Sequence, residues 1–536
     1  MKADRIIERL PILRQLQRVS DRLSTRPNLV AITTITLLVG LYFVPVISQP
    51  GKMFFGIDIV GQVYVYENYV VDSIGSGSLP HWNPYLFCGY PALAQPQYLV
   101  FYPPQMLLRL FLPPHQSISW AIILHAWIAG LGMYALGRRL KLHPWIALAC
   151  GVAFAFNGAL ILRVYAGHVW FVYALAWVPL AWLLITIAIE DRHLIATIGA
   201  GATIALIILT GHPTVPAYAL VFLSLCGGFL SVKAGLEAGS WRRFLGSLSR
   251  LAAILALGMA LSAVQIIPTA VLASHTTLSG GYDLEQANIF ALSLKSLVTF
   301  VVPGIQFVSG LWEWVTYVGI MIMLAVPFAF MGKDAKLLAW FLAFVVIFAF
   351  WLALGKSAGL YTLLYRLIPP FRILRIPPRA LVMAAPALIV LGGLGFQSLF
   401  EGRPTARQIE RSTYVYGNSI LLGVGALAGF MLAWRAELPL LASSQLLARL
   451  SILLAYLVIA GAILLPLNRF SGWLVRAASF VVGVLAGGST HYALGNAVQQ
   501  VPTAFGIIAA CFSIGMGIAL IYALRLVEVS EAAMVL

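Results

Sequence analysis

The feature that most constrains this chain is the recurrence, from residue 29 nearly to its end, of apolar runs about 20 residues long between short polar stretches. A helix rises about 1.5 Å per residue, so about 20 apolar residues match the hydrocarbon core of a bilayer. Reading with that window places spans near 29–48, 119–137, 144–162, 169–189, 194–211, 214–231 and 251–272. Further spans fall near 314–331, 337–354, 379–399, 414–434, 446–466, 475–492 and 503–525. Composition agrees, since 61% of residues are hydrophobic and 10% charged, against about 25% charged in a soluble domain. The expected fold is an all-α polytopic membrane protein with about fourteen transmembrane helices.

Charge patterning orients these spans. Of the 34 Lys and Arg residues, 23 fall in alternate connections if the amino terminus is cytoplasmic, which puts both termini inside by the positive-inside rule. The net charge of +16 therefore reflects topology, and without a nucleic-acid-binding motif it does not point to DNA or RNA. Arginines interleave with Ile and Leu through residues 1–27, where no cleavable signal is evident. Two readings fit that segment, a basic amphipathic helix on the anionic leaflet or an ordinary cytoplasmic flank. The expected organisation is a cytoplasmic segment 1–27, a transmembrane module 28–400 and carboxy-terminal transmembrane helices over 401–536. Extracytoplasmic loops are expected over 49–118, 273–313 and 355–379. Of the four cysteines, Cys150, Cys226 and Cys511 lie in apolar runs, and only Cys88 falls in a polar loop. Neither a disulfide framework nor a zinc site follows from that pattern.

Long loops on a helical scaffold carry function more often than short ones. The first reads Gly56-Ile57-Asp58-Ile59-Val60-Gly61-Gln62, then Pro80-His81-Trp82-Asn83-Pro84-Tyr85, with Pro and Gly turns after residue 79. Apolar spacing over 57–71 predicts an amphipathic helix in the interface plane, with Glu67 and Asp72 on its solvated face. Asp58 is the first acid after the first span. A partly desolvated carboxylate there is a usable general base, or it caps the interfacial helix. Trp82, Tyr85, Tyr98 and Tyr102 fit either a sugar site or an interfacial aromatic belt.

The third loop breaks the charge rule. Arg366, Arg372, Arg375 and Arg379 occur together with the pairs Pro369-Pro370 and Pro377-Pro378. Guanidinium forks bind phosphate bidentately and paired prolines stiffen the segment that presents them, so a lipid phosphate or diphosphate is a natural ligand. Snorkelling arginines at helix ends are the alternative. A weaker feature is the echo of Gly167-His168 in Gly211-His212, each at a helix end.

Taken in order over residues 55–400, these motifs resemble the YfhO family of bacterial membrane proteins. They include the stretch from Asp58 to Gln62, Pro80 with Trp82-Asn83-Pro84, and Gly89 with Pro91. Gly211-His212-Pro213, Gln265-Ile266-Ile267-Pro268, Glu313 with Tyr317 and Gly319, and Phe371-Arg372 through Arg379 complete the set. The resemblance implies a GT-C-like fold in a bacterial cytoplasmic membrane and a glycosyltransferase activity with a polyprenyl-phosphate-linked sugar donor. It implies Asp58 as the base and Arg372, Arg375 and Arg379, with Arg366, as the lipid-phosphate clamp. Gln62, Trp82, Asn83, Tyr85, His168, His212, Glu313 and Tyr317 are candidate substrate-site residues, though a helix-end hydrogen bond is the simpler expectation for His168, His212 and Glu313. No cofactor is implied, and the first loop has no Asp-x-Asp to call for a metal. Many family members continue into an extracytoplasmic carboxy-terminal domain that this sequence lacks, so no acceptor is implied. The competing functions are a lipid flippase or transporter and a non-catalytic membrane subunit. His125 is the main ionisable residue inside the expected spans, which disfavours ion coupling.

Overall fold

The computed structural model describes residues 26–401, apart from 278, 294–295, 297–310 and 333–334. The basic segment before Arg26 and the spans expected after 401 lie outside the described residues. Those up to 398 belong to one compact unit. Among the described residues the secondary structure is helical, with one isolated antiparallel bridge between Asn83 and Tyr90.

In chain order the helices used below are α1 (Pro27–Tyr42), α2 (Tyr64–Gly75), α3 (Pro103–Phe111), α4 (Pro114–Arg139), α5 (Pro144–Ala155), α6 (Gly158–Ala166) and α7 (Val169–Glu190). They continue with α8 (Leu194–Leu209), α9 (Thr214–Glu237), α10 (Trp241–Ser274), α11 (Ile320–Ala325), α12 (Lys336–Ala353), α13 (Leu360–Leu367) and α14 (Ala384–Glu401). Seven stretches among the described residues are long and apolar enough to cross a membrane. This is a helical membrane protein. Helix α7 is central, packing on α4, α8 and α9, while α10 closes against α8 and α9. The stretch 377–399 is the most enclosed apolar segment; α10 and α12 are mostly exposed and carry Ile267, Val271, Trp340 and Ile347 on their outer faces.

Where the structure departs from the expected spans, backbone chemistry explains it. Helix α1 stops at Phe43 and a short turn restarts at Val44–Ile47, because Pro45 removes a donor and disfavours helix at the residue before it. The span expected over 144–162 is present as one apolar stretch, Pro144–Ala166, but it is broken into two helices. Asn157 ends one and caps the next, its side chain accepting from Leu160 N. The first part of the span expected over 314–331 is not a transmembrane helix. The turn Leu311–Trp314 is followed by irregular chain to Gly319, whose φ of +97° resets the backbone before α11. Carbonyl Tyr317 O accepts from Gly158 N at 2.7 Å, tying this segment to the start of α6.

The first long loop is ordered by a buried ion pair. The interfacial helix expected over 57–71 is a π-turn at Ile59–Val63 continuing into α2. Asp72 is exposed, but Glu67 is 2% exposed, which corrects its placement on a solvated face. Its Oε1 and Oε2 accept from Arg109 Nε at 2.9 Å and Nη2 at 2.7 Å. Gln105 Nε2 and Ser117 Oγ also donate to it, at 3.0 and 2.7 Å. The remaining Arg109 donors reach the carbonyls of Leu99 and Tyr98. Burial is tolerable here because both charges are paired and every carboxylate oxygen is hydrogen-bonded.

His125 belongs to the same supporting structure. Its Nδ1 lies 2.6 Å from Ala121 O, which requires a proton there, so Nε2 accepts from the Tyr102 hydroxyl. Trp177 Nε1 donates to the same hydroxyl at 2.7 Å. The ionisable residue inside α4 thus anchors the loop through Tyr102.

Candidate functional site

Polar groups gather at both ends of α7. Its 22 residues separate those ends by about 33 Å. At the carboxy-terminal end Arg139 pairs with Glu190 and Asp191, and Arg243 and Arg250 donate to the last carbonyls of α7. These are exposed pairs and caps of the kind that finish helix ends.

The amino-terminal end is different. Gly167 has φ +88°, and a Cβ there would lie 2.7 Å from Ile59 N and 3.0 Å from Asp58 N. Gly56 is equally close, since its own Cβ would lie 2.8 Å from Gly167 Cα. Two glycines in contact let the first loop dock directly on the α6–α7 junction. Asp58 precedes the π-turn but makes no capping hydrogen bond with its side chain. Its carboxylate Oδ2 instead lies 3.3 Å from His168 Nε2.

Behind His168 sits a buried cluster. Arg163 Nη1 is 2.9 Å from His168 Nδ1, and its Nη2 donates to Glu313 Oε2 at 2.7 Å. Arg379 Nη2 donates to Glu313 Oε1 at 2.9 Å and its Nε donates to Oε2 at 3.2 Å. The Arg163 guanidinium lies over the Phe171 ring at 4.1 Å, a cation–π contact. Four stretches of the sequence, with Arg163 and His168 from the one α6–α7 junction, thus supply one connected chain, Asp58–His168–Arg163–Glu313–Arg379.

The electrostatics follow from burial and neighbours. Burial raises the Asp58 carboxyl, with Arg379 opposing and Glu313 adding to the rise. Burial first, and then the Arg163 guanidinium, lower His168 to about 4, so the ring is neutral near pH 7. Burial alone would raise Glu313, but Arg163 and Arg379 outweigh it and hold the carboxyl well below its usual range. Two carboxylates and two guanidiniums leave the cluster balanced. Its exposed end is Asp58, with a side chain 38% accessible against 2% for Glu313.

Of the candidate residues, Asp58, His168, Glu313 and Arg379 converge here. The His168 side chain does not make the helix-end hydrogen bond expected of it, and the Glu313 carboxylate is taken by Arg163 and Arg379 instead. His212 does make that bond, its Nδ1 accepting from Thr214 N and Val215 N at 3.2 Å. Burial, with Arg379 nearby, holds His212 neutral, well below the usual histidine range. Gly211, at φ +82°, seats Pro96 and Gln97 as Gly167 seats Asp58. Gln62 donates to Gln97 and Tyr66, and Asn83 donates to the buried Tyr98 hydroxyl, so both order the loop. Trp82 covers Gly89 and Tyr85 is exposed. The Tyr317 hydroxyl accepts from Ile320 N.

The other arginines of the third loop contact a different segment. Arg372 packs on Gly281 and lies 5.6 Å over the Tyr365 ring; Arg375 lies 5.6 Å over Tyr282. Among the described residues neither has a carboxylate partner, nor has the exposed Arg366. Arg163 was missed by sequence reasoning. The available signal was its position, a basic residue at the end of an apolar run four residues before Gly167-His168. The features together define a polytopic helical membrane protein with a polar site at one end of its bundle. No family model matches the chain, and no curated protein matches it.

Proposed function

We propose that this protein is a GT-C-like glycosyltransferase with about fourteen spans in a bacterial cytoplasmic membrane, both termini cytoplasmic. It moves a sugar from a polyprenyl-phosphate-linked donor to an acceptor hydroxyl on the extracytoplasmic face. The observation that carries this reading is the docking of Asp58, a half-exposed carboxylate, against a neutral histidine backed by a buried, charge-balanced cluster. A carboxyl raised by partial burial is a stronger base than a solvated one.

In this mechanism Asp58 takes the proton of the acceptor hydroxyl. The hydroxyl oxygen forms a bond to the anomeric carbon as the bond from that carbon to the phosphate oxygen breaks. The polyprenyl phosphate leaves with the bonding pair, and Arg372 and Arg375, with Arg366 nearby in sequence, meet its developing charge. A direct displacement of this kind inverts the anomeric configuration. Trp82 and Tyr85 offer exposed aromatic faces to the sugar. The test is turnover of a radiolabelled polyprenyl-phosphate hexose by protein in nanodiscs, with membrane extract supplying the acceptor. Asp58→Asn should lose about 10²–10⁴-fold in rate and keep donor binding. Wild-type turnover in that variant would sink the assignment.

A further inference from the structure

We infer that His168 is a positioning residue that turns an Nε2–H toward Asp58, with its own tautomer set by the Arg163–Glu313–Arg379 cluster. This rests on the proposed role of Asp58, and the argument is geometric. A guanidinium has donors and no acceptor. Arg163 Nη1 lies 2.9 Å from His168 Nδ1, so that nitrogen presents its lone pair. The one proton of the neutral ring is then on Nε2, and Nε2 is the atom 3.3 Å from Asp58 Oδ2. Protonating the ring would set an Nδ1–H against the Arg163 donors.

Each element around the ring contributes a named group. Asp58 comes from the first loop, Arg163 from α6, Glu313 from the turn Leu311–Trp314, and Arg379 from 377–382. His212, at the start of α9, is neutral and fixed by its own backbone contacts. Glu313 Oε1 is 4.0 Å from Nδ1 but is taken by Arg379, so it does not compete for the ring. Trp312 meets the ring at 88°, which limits its rotation. Arg163 in turn is oriented by Glu313 at 2.7 Å. The role of a buried ion pair distant from the solvent-facing carboxylate is thereby explained: it selects which histidine nitrogen donates.

The test follows the Asp58 carboxyl directly by infrared titration of the protein in nanodiscs, the band being assigned by its loss in Asp58→Asn. His168→Ala removes the Nε2–H that faces Asp58 Oδ2 at 3.3 Å and should move the Asp58 titration upward by about half to one pH unit. His168→Gln can accept from Arg163 through its carbonyl and donate to Asp58 through its amide, and should restore the wild-type titration. An unmoved band in the alanine variant, or a glutamine variant that behaves like alanine, overturns the inference. If the alanine variant does not purify intact, nitrogen-15 histidine spectra of the unmutated protein decide, with His168 assigned by difference from His168→Gln. An Nδ1–H tautomer overturns the inference and Nε2–H supports it. Turnover of the polyprenyl-phosphate hexose by Asp58→Asn tests the base assignment separately. Loss of that reading leaves the infrared shift in place, and loss of the shift leaves the reading in place.

Discussion

Glu67→Ala provides a sharp test of how the first loop is held. The Glu67 and Arg109 side chains are each 3% accessible, and the pair is bidentate at 2.9 and 2.7 Å. Removing the carboxylate strands a buried guanidinium, although Leu99 O and Tyr98 O still accept from it. Breaking a buried pair from one side typically destabilises by about 3–5 kcal/mol. If the retained carbonyl bonds keep the loss near the lower end, about 3 kcal/mol, protection against local opening falls roughly a hundredfold. Amide hydrogen exchange over α2 and α3, read by mass spectrometry in nanodiscs, measures that opening. Arg109→Met alone should give a comparable loss. Combining it with Glu67→Leu should give much less than the sum of the single losses, because an apolar pair of similar volume leaves no stranded charge. Additive losses, or exchange in Glu67→Ala unchanged within a few-fold, would refute the claim that this pair anchors the loop.

Gly167→Ala should destabilise the protein by about 1–3 kcal/mol, since φ is +88° and the new Cβ would press on Ile59 N. An unchanged melting temperature in detergent would show that the loop can slide away without loss. Acid should destabilise in two stages. His168 is depressed from 6.5 to about 4, so its contribution is complete above 6.5 and falls as pH drops toward 4. Glu313 is depressed below 4.5, so its contribution is present above 4.5 and is lost below it. Melting temperature against pH should fall through both windows, and His168→Gln should flatten the upper one; a flat wild-type curve would contradict both. Arg372→Ala should stay within about 0.5 kcal/mol of wild type in stability and weaken donor binding, whereas Arg379→Ala should lower stability by more. Thermal melts paired with binding of a polyprenyl-phosphate hexose separate the two, and equal effects in both assays would merge their roles.

The seven long apolar stretches among the described residues were legible because a bilayer rewards continuous apolarity, which a single window detects without knowledge of any contact. The breaks within the expected spans were not read from the sequence, although two follow from a residue's own backbone rule. Pro45 and Asn157 interrupt helices for local reasons, but the non-helical approach to Gly319 depends on docking against Gly158. Asp58 and Arg379 stood out in the sequence as a lone acid and an excess of base. Their coupling did not, because it passes through Arg163 and Glu313, 150 positions apart. Glu67 was misplaced for the same reason. Its i+3 and i+4 neighbours suited an amphipathic surface, while the partner that buries it lies 42 residues away.

Charge balance divides the third-loop arginines in two. Arg379 directs Nε and Nη2 at Glu313, and with Arg163 it exactly offsets Glu313 and Asp58 in formal charge. An incoming phosphate that drew Arg379 away would loosen Glu313 and, through Arg163, the histidine that faces Asp58. Arg372 and Arg375 carry no such obligation among the described residues, for their guanidiniums lie over tyrosine rings rather than against carboxylates. A tyrosine face holds an arginine in place without neutralising it. Under the proposed function, the leaving phosphate is therefore met by Arg372 and Arg375, and Arg379 serves the base side of the reaction. One short proline-braced segment would then supply both halves of the displacement, which accounts for its concentration of positive charge.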